Sequence, residues 1–129
     1  LVVVDTPPKI DADLRPALRA SDLIVLPVSA SQVDVWATEG VIELAGREGR
    51  PVLSVLNRVR RGTRLATQID EAINELACVK AETVIANRVL YAETLGDGRS
   101  VVEVQKTGPA AAEFNALADE ILGMLKTSD

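Results

Sequence analysis

The sequence has no histidine, one cysteine (Cys78) and three aromatic residues, Trp36, Tyr91 and Phe114. Each shortage removes a class of chemistry. Without imidazole there is no Ser-His-Asp triad, no HExxH zinc site and no histidine general base. A single thiol makes neither an internal disulfide nor a thiolate zinc cluster, so a reducing cytoplasm is the expected compartment. Three aromatics are too few for the stacked-base platform of an RRM or single-strand binder. No apolar run approaches the roughly 18 residues needed to span a bilayer, and no basic-then-apolar leader opens the chain. What is present is 129 residues, 47% of them apolar, with a formal net charge of −5. That composition suits one globular domain and argues against disorder. The chain opens with Leu1 directly into an apolar run, which raises the expectation that a segment precedes it.

Four short runs rich in Val, Ile and Leu stand out, at residues 1–4, 23–28, 52–56 and 83–86. None alternates polar with apolar, which suits strands buried on both faces of a parallel sheet. Helical spacing separates them. Residues 12–20 align Leu14, Ala17 and Leu18. Residues 31–48 carry Val33, Trp36, Ala37, Val41, Leu44 and Ala45, and stop at Gly49 with Pro51 beyond. Residues 63–76 space Leu65, Ile69, Ile73 and Leu76, and residues 110–126 space Phe114, Leu117, Ile121 and Leu125. Residues 100–105 fit either a helical turn or an edge segment. Strands alternating with helices imply an α/β fold, a parallel sheet with helices on both faces.

Ligands of such sheets bind beyond the carboxyl ends of the strands. The first run ends in Asp5-Thr6-Pro7-Pro8, where a carboxylate sits well for a Mg²⁺–phosphate group or simply caps a βα turn. The second leads to Ser31, an N-cap candidate. The third ends in Asn57-Arg58. The Asn57 amide suits reading a base edge, and equally suits a turn. Residues 58–64 then hold Arg58, Arg60, Arg61 and Arg64 with no acid among them. Taking those four charges away leaves the rest of the chain at −9. A positive loop on an acidic body suits an anionic partner such as DNA phosphates, or is a solvated loop paired with nearby carboxylates. Arg88 and Tyr91 follow the fourth run, and Cys78 ends an apolar helix face as a buried, inert thiol.

The order of these features resembles the ParA/MinD family of deviant Walker ATPases, in particular small ParF-like ParA partition proteins. The resembling segments are 2–8 (VVVDTPP), 20–31 (ASDLIVLPVSAS), 34–39 (DVWATE), 55–58 (VLNR), 62–65 (GTRL), 85–91 (IANRVLY) and 96–103 (GDGRSVVE), with the final helix. The resemblance implies a P-loop NTPase-like fold that uses ATP and Mg²⁺. It places Asp5 at the acid near Mg²⁺, and Thr6 and Pro7 in the switch segment that responds to the γ-phosphate. Asn57 falls on the adenine-reading position, with Arg58 against the same base. Arg58, Arg60, Arg61, Arg64 and Arg88 fall near surfaces used for non-specific DNA binding. The implied partners are a second copy in an ATP-dependent homodimer, DNA, and a ParB-like or ParG-like centromere-binding protein. No membrane is implied, and the location is cytoplasmic and nucleoid-associated.

The sequence departs from that family by lacking its KGGxGKT phosphate-binding loop, with the lysines and Mg²⁺-binding Thr that belong to it. Residues 1–129 are therefore expected to be the C-terminal part of a single ParA-like ATPase domain of roughly 200–220 residues, inactive alone. In the family's sheet the P-loop strand lies between the first two runs, so its absence would leave a gap of about 10 Å between them. The competing expectations are a non-catalytic interaction module of the same fold, or a protein that positions another cellular cargo. A cobyrinate-type amide synthetase or nitrogenase-like iron protein fits less well with one Cys.

Overall fold

The computed structural model describes residues 1–6 and 14–127. Among them are α1 (Leu14–Ala20), β1 (Ile24–Ser29), α2 (Gln32–Arg47), β2 (Val52–Asn57), α3 (Arg64–Asn74), β3 (Val79–Lys80), α4 (Val89–Gly96), α5 (Val101–Val104) and α6 (Pro109–Thr127). The strands form one parallel sheet in the order β1-β2-β3, with Ile24 opposite Val52 and Leu53 opposite Val79. The fold is α/β, as the alternation of runs implies.

β2 sits at the centre, and Val52 to Leu56 are buried without a break. Because side chains alternate across a strand, its two sets need two separate covers. Val52 packs with Ile24 of β1, Leu14 and Leu18 of α1, and Ile42 and Ala45 of α2. Leu56 packs on the same face with Val28, Val35, Ile69 and Ile73, which brings in α3. Leu53 and Val55 point the other way and meet Ala81 and Ile85, with Leu117, Ile121 and Met124 of α6 packed behind. Ser54 is the polar member of this strand. Its hydroxyl donates to the Val79 carbonyl at 3.3 Å and lies 3.5 Å from Cys78 Sγ, so burial leaves it bonded.

Several expectations need correction. Residues 1–4 form no strand; Leu1, Val2, Val3 and Val4 are 89, 86, 86 and 62% exposed, and no ladder receives their backbone groups. β1 is buried on one face only, with Val25 and Pro27 exposed on the other. Pro27 has no N–H, which suits the outer strand that β1 is among the described residues. In α2 the buried set is Val35, Thr38, Ile42 and Ala45, while Val33 and Trp36 are 66 and 65% exposed. Thr38 enters the core because its hydroxyl bonds the Asp34 carbonyl one turn back at 2.6 Å. Leu65 and Phe114 likewise stay exposed.

The fourth run is not a strand either. Its only assigned pairing is an isolated parallel bridge between Val59 and Ala86, and the short β3 precedes it. The Ala81 amide reaches the Ser54 carbonyl and the Ile85 amide the Leu56 carbonyl. Four residues thus advance along one side for two on the other, and the intervening chain bulges outward. Glu120 of α6 takes the freed amides of Glu82 and Thr83 at 2.9 and 2.8 Å, and also accepts from the Thr83 hydroxyl. The ladder is interrupted because a carboxylate from the far end of the chain replaces β2 as acceptor.

At the other end of the sheet, Glu48 accepts from Arg19 at 2.9 Å with Arg15 3.7 Å away, and Arg50 donates to the Arg19 carbonyl. These contacts hold α1 against the end of α2. No helix among the described residues is long and apolar enough to cross a membrane.

Ile69 is fully buried where α2, α3 and the sheet meet. Ile69→Ala is expected to cost about 2–5 kcal/mol, read as a lower urea midpoint with an unchanged slope. A loss under about 1 kcal/mol would show that this junction carries little of the fold.

Candidate functional site

The carboxyl end of β2 delivers Asn57 beside Ser29 of β1. Asn57 is half-buried, and its Oδ1 accepts the Arg58 amide at 2.9 Å. That bond belongs to a sharp turn, for Arg58 has φ 54°, the left-handed region that a residue with a Cβ rarely occupies. The side-chain oxygen retains a second lone pair, and among the described residues Nδ2 makes no hydrogen bond. A donor and an acceptor therefore lie side by side at the strand end. Asp5 and Thr6 are exposed. Pro7 lies outside the described residues. No group of three or more His, Cys, Asp or Glu side chains suited to a metal occurs among the described residues. These side chains alone make no Mg²⁺ cage, so the single carboxylate of Asp5 would suit only an ion held mainly by phosphate and water.

After the Arg58 turn the chain runs back along residues 85–87. The Val59 amide donates to Ile85, and the Asn87 amide to Val59. This pairing sets the start of the arginine loop beside residues 85–87, and Arg61 and Arg88, both expected from the sequence, meet at one carboxylate on this rim. Gly62 at φ 76° turns the loop into α3, whose first turn is capped by Thr63 accepting from the Ala66 amide. Arg58, Arg60 and Arg64 are exposed.

The centre of this rim is a residue that the sequence pattern did not single out. Glu113 of α6 is 8% exposed, and it is the one buried ionisable group among the described residues. Its carboxylate accepts from Arg88 at 2.7 and 3.4 Å, from the Tyr91 hydroxyl at 2.5 Å and from the Ala86 amide at 3.2 Å. Arg61 approaches it to 3.6 Å. Burial pushes the Glu113 carboxyl up, but the hydrogen bonds from Arg88, Tyr91 and Ala86 outweigh it and hold the group below its ordinary value. Burial pushes Tyr91 up to about 12, with Glu113 adding to the shift and Arg88 opposing it. The Tyr91 ring also meets Phe114 edge to face, with centroids 5.3 Å apart. A signal did exist in the sequence: an acid among the apolar residues of the last helix, with two arginines in need of partners.

The structure thus brings Asn57, Arg58, Arg61 and Arg88 to one end of the sheet, and joins Arg61 and Arg88 through Glu113. Among the described residues, no hydrogen bond ties Asp5 or Thr6 to them. Surface depressions lie elsewhere, one lined by Arg15, Pro16, Arg19 and Ala20 and another between α2 and residues 75–77.

No family model matches the chain. Among characterised proteins it is 30% identical over 128 residues to the maintenance of carboxysome distribution protein A of Halothiobacillus neapolitanus, covering 94% of this chain and 59% of that protein. It is 30% identical over 137 residues to the chromosome-partitioning ATPase Soj of Thermus thermophilus, covering 98% of this chain and 54% of that one. These relatives support the ParA/MinD family. The chain spans a little over half the length of each ParA/MinD-type relative.

Tyr91 supplies a test of the cluster. Its neutral form is favoured by folding, so its contribution is complete below pH 10 and declines as the pH rises from 10 to about 12. Glu113 acts in the opposite sense: its contribution holds above the ordinary value of 4.5 and is lost as the pH falls below it. Tyr91→Phe is expected to lessen the fall in urea midpoint between pH 10 and 12; an equal fall in the variant would show that another group is responsible.

Proposed function

We propose that the chain is the C-terminal part of a ParA-type ATPase that positions or partitions a cellular cargo. The observation that carries this reading is similarity along nearly the whole chain to a carboxysome-distribution protein and a chromosome-partitioning ATPase. The α/β fold supports it by setting Asn57 at the carboxyl end of the central strand, where such sheets take ligands. In this reading Asn57 and Arg58 meet the adenine of ATP. Asp5 stands at the Mg²⁺–phosphate end with Thr6 and Pro7 in the responsive switch. A phosphate-binding loop of the KGGxGKT type comes from residues outside this chain. When bound, Mg²⁺ neutralises phosphate charge during phosphoryl transfer to water. The intact protein forms an ATP-dependent homodimer, binds DNA without sequence preference through Arg58, Arg60, Arg61, Arg64 and Arg88, and answers to a ParB-like or ParG-like partner in a nucleoid-associated, cytoplasmic setting.

The cargo divides this reading in two. The partitioning relative favours a DNA molecule, whereas the carboxysome-distribution relative favours a protein assembly. Deleting the gene separates them: unequal inheritance of a plasmid or chromosome supports the first, and clustering of a protein assembly with normal DNA inheritance supports the second.

Asn57→Ala in the intact protein is expected to weaken ATP binding about tenfold, near 1.4 kcal/mol for one hydrogen bond, with the fold intact by circular dichroism. Equal affinity by titration would remove the adenine role. Replacing Arg60, Arg61 and Arg64 together with Ala is expected to weaken DNA binding and flatten the plot of log K against log salt by about two to three units. Unchanged binding at low salt would return the loop to a solvated surface.

A further inference from the structure

The arginines of the candidate DNA surface do not all present free charge. Residues 58–64 carry four arginines and no acid, and Arg88 adds a fifth. The fold then brings in an acid from α6, 49 residues beyond the loop in sequence, and buries it at the rim. The cluster that results is uneven. Arg88 is two-thirds covered and forks onto both Glu113 oxygens. The Arg61 side chain is 66% exposed, stands 3.6 Å from the same carboxylate, and donates to the Val84 carbonyl at 3.4 Å. Arg58, Arg60 and Arg64 are exposed and lie outside this cluster.

We propose that Glu113 is the built-in counter-ion of this basic surface, setting how much of its positive charge a polyanion meets. The proposal rests on the DNA-binding reading above and extends it. A carboxylate offers about four acceptor positions, and Arg88, Tyr91 and Ala86 already occupy them closely. Arg61 is therefore attracted without being locked, and it can turn to a phosphate oxygen with little loss. Arg88 is in a different position. Drawing it out would leave a buried, ionised carboxylate without its closest partner, which is strongly unfavourable. The surface thus divides into arginines that a phosphate engages freely and one that is held back. This division limits affinity for DNA, a property that suits binding which must be released. A fold clamp alone would need only one arginine, whereas here two arginines from separate segments of the same candidate surface converge on the carboxylate.

The test measures binding of the intact protein, with ATP present, to a duplex DNA of arbitrary sequence over a range of salt. Glu113→Gln keeps the shape and an acceptor oxygen while removing the charge. It is expected to steepen the salt slope by about 0.9 for each arginine released, an extra loss of about threefold to fourfold between 50 and 200 mM salt for one arginine. The steepening should shrink when Glu113→Gln is combined with Arg88→Gln, which isolates the coupling from any general loosening of the fold. Arg60→Gln and Arg88→Gln alone give a second reading that needs no change at Glu113. The first should flatten the slope by about 0.9 and the second by less than half as much. A wild-type protein that binds while its slope is unmoved by Glu113→Gln overturns the counter-ion proposal and leaves the DNA reading standing. Equal slopes for Arg60→Gln and Arg88→Gln do the same. Failure of every protein in the series, wild type included, to bind DNA at low salt overturns the DNA reading itself.

Discussion

Everything in this fold answers to the burial of β2 on both faces. Five consecutive side chains of one strand are withdrawn from water, and a single layer of helices cannot cover both sets. α1, α2 and α3 therefore gather on the face of Val52 and Leu56, while α6 lies over Leu53 and Val55. The strand ends in register with β1, Asn57 opposite Ser29, and the left-handed Arg58 follows at once. The candidate site is a consequence of how the central strand is covered.

α6 does more than shield one face. It carries two carboxylates a helical heptad apart, Glu113 and Glu120, and both reach back to the segment between β3 and α4. Glu120 takes the amides that the interrupted ladder releases, so a bulge forms without orphaned donors. Glu113 gathers Arg88, Tyr91 and the Ala86 amide, and draws Arg61 toward the same point. The loop after β2 and the start of α4 are thereby one unit, fastened to a helix that follows them in sequence. Burial of a lone carboxylate is costly, and four converging donors with two positive charges offset that cost.

On the proposed reading, the same rim serves two ligands in different ways. The adenine of ATP would take directional hydrogen bonds from the Asn57 amide. A DNA backbone would meet only charge, and the proposed role of the Glu113 carboxylate is to moderate how much of it is free.

Fold class was legible in the sequence because apolar runs and helical spacing are local properties. The runs at 23–28 and 52–56, the helices expected within 12–20, 31–48, 63–76 and 110–126, and the strand-end position of Asn57 all appear close to where the pattern puts them, whereas α4 was not marked by it. The runs at 1–4 and 83–86 read the same way but form no strand: no ladder receives the first, and Glu120 takes amides that β2 would otherwise receive from the second. Trp36 and Val35 show the same limit on a helix. Both fit a helical stripe, and only the position of the sheet determines which one is buried. The sequence by itself determined the alternation of strands and helices, the absence of histidine chemistry and the number of arginines. Tertiary structure decided which of those arginines remain free, because Glu113 lies far from them along the chain and is brought to Arg61 and Arg88 only when α6 closes over β2.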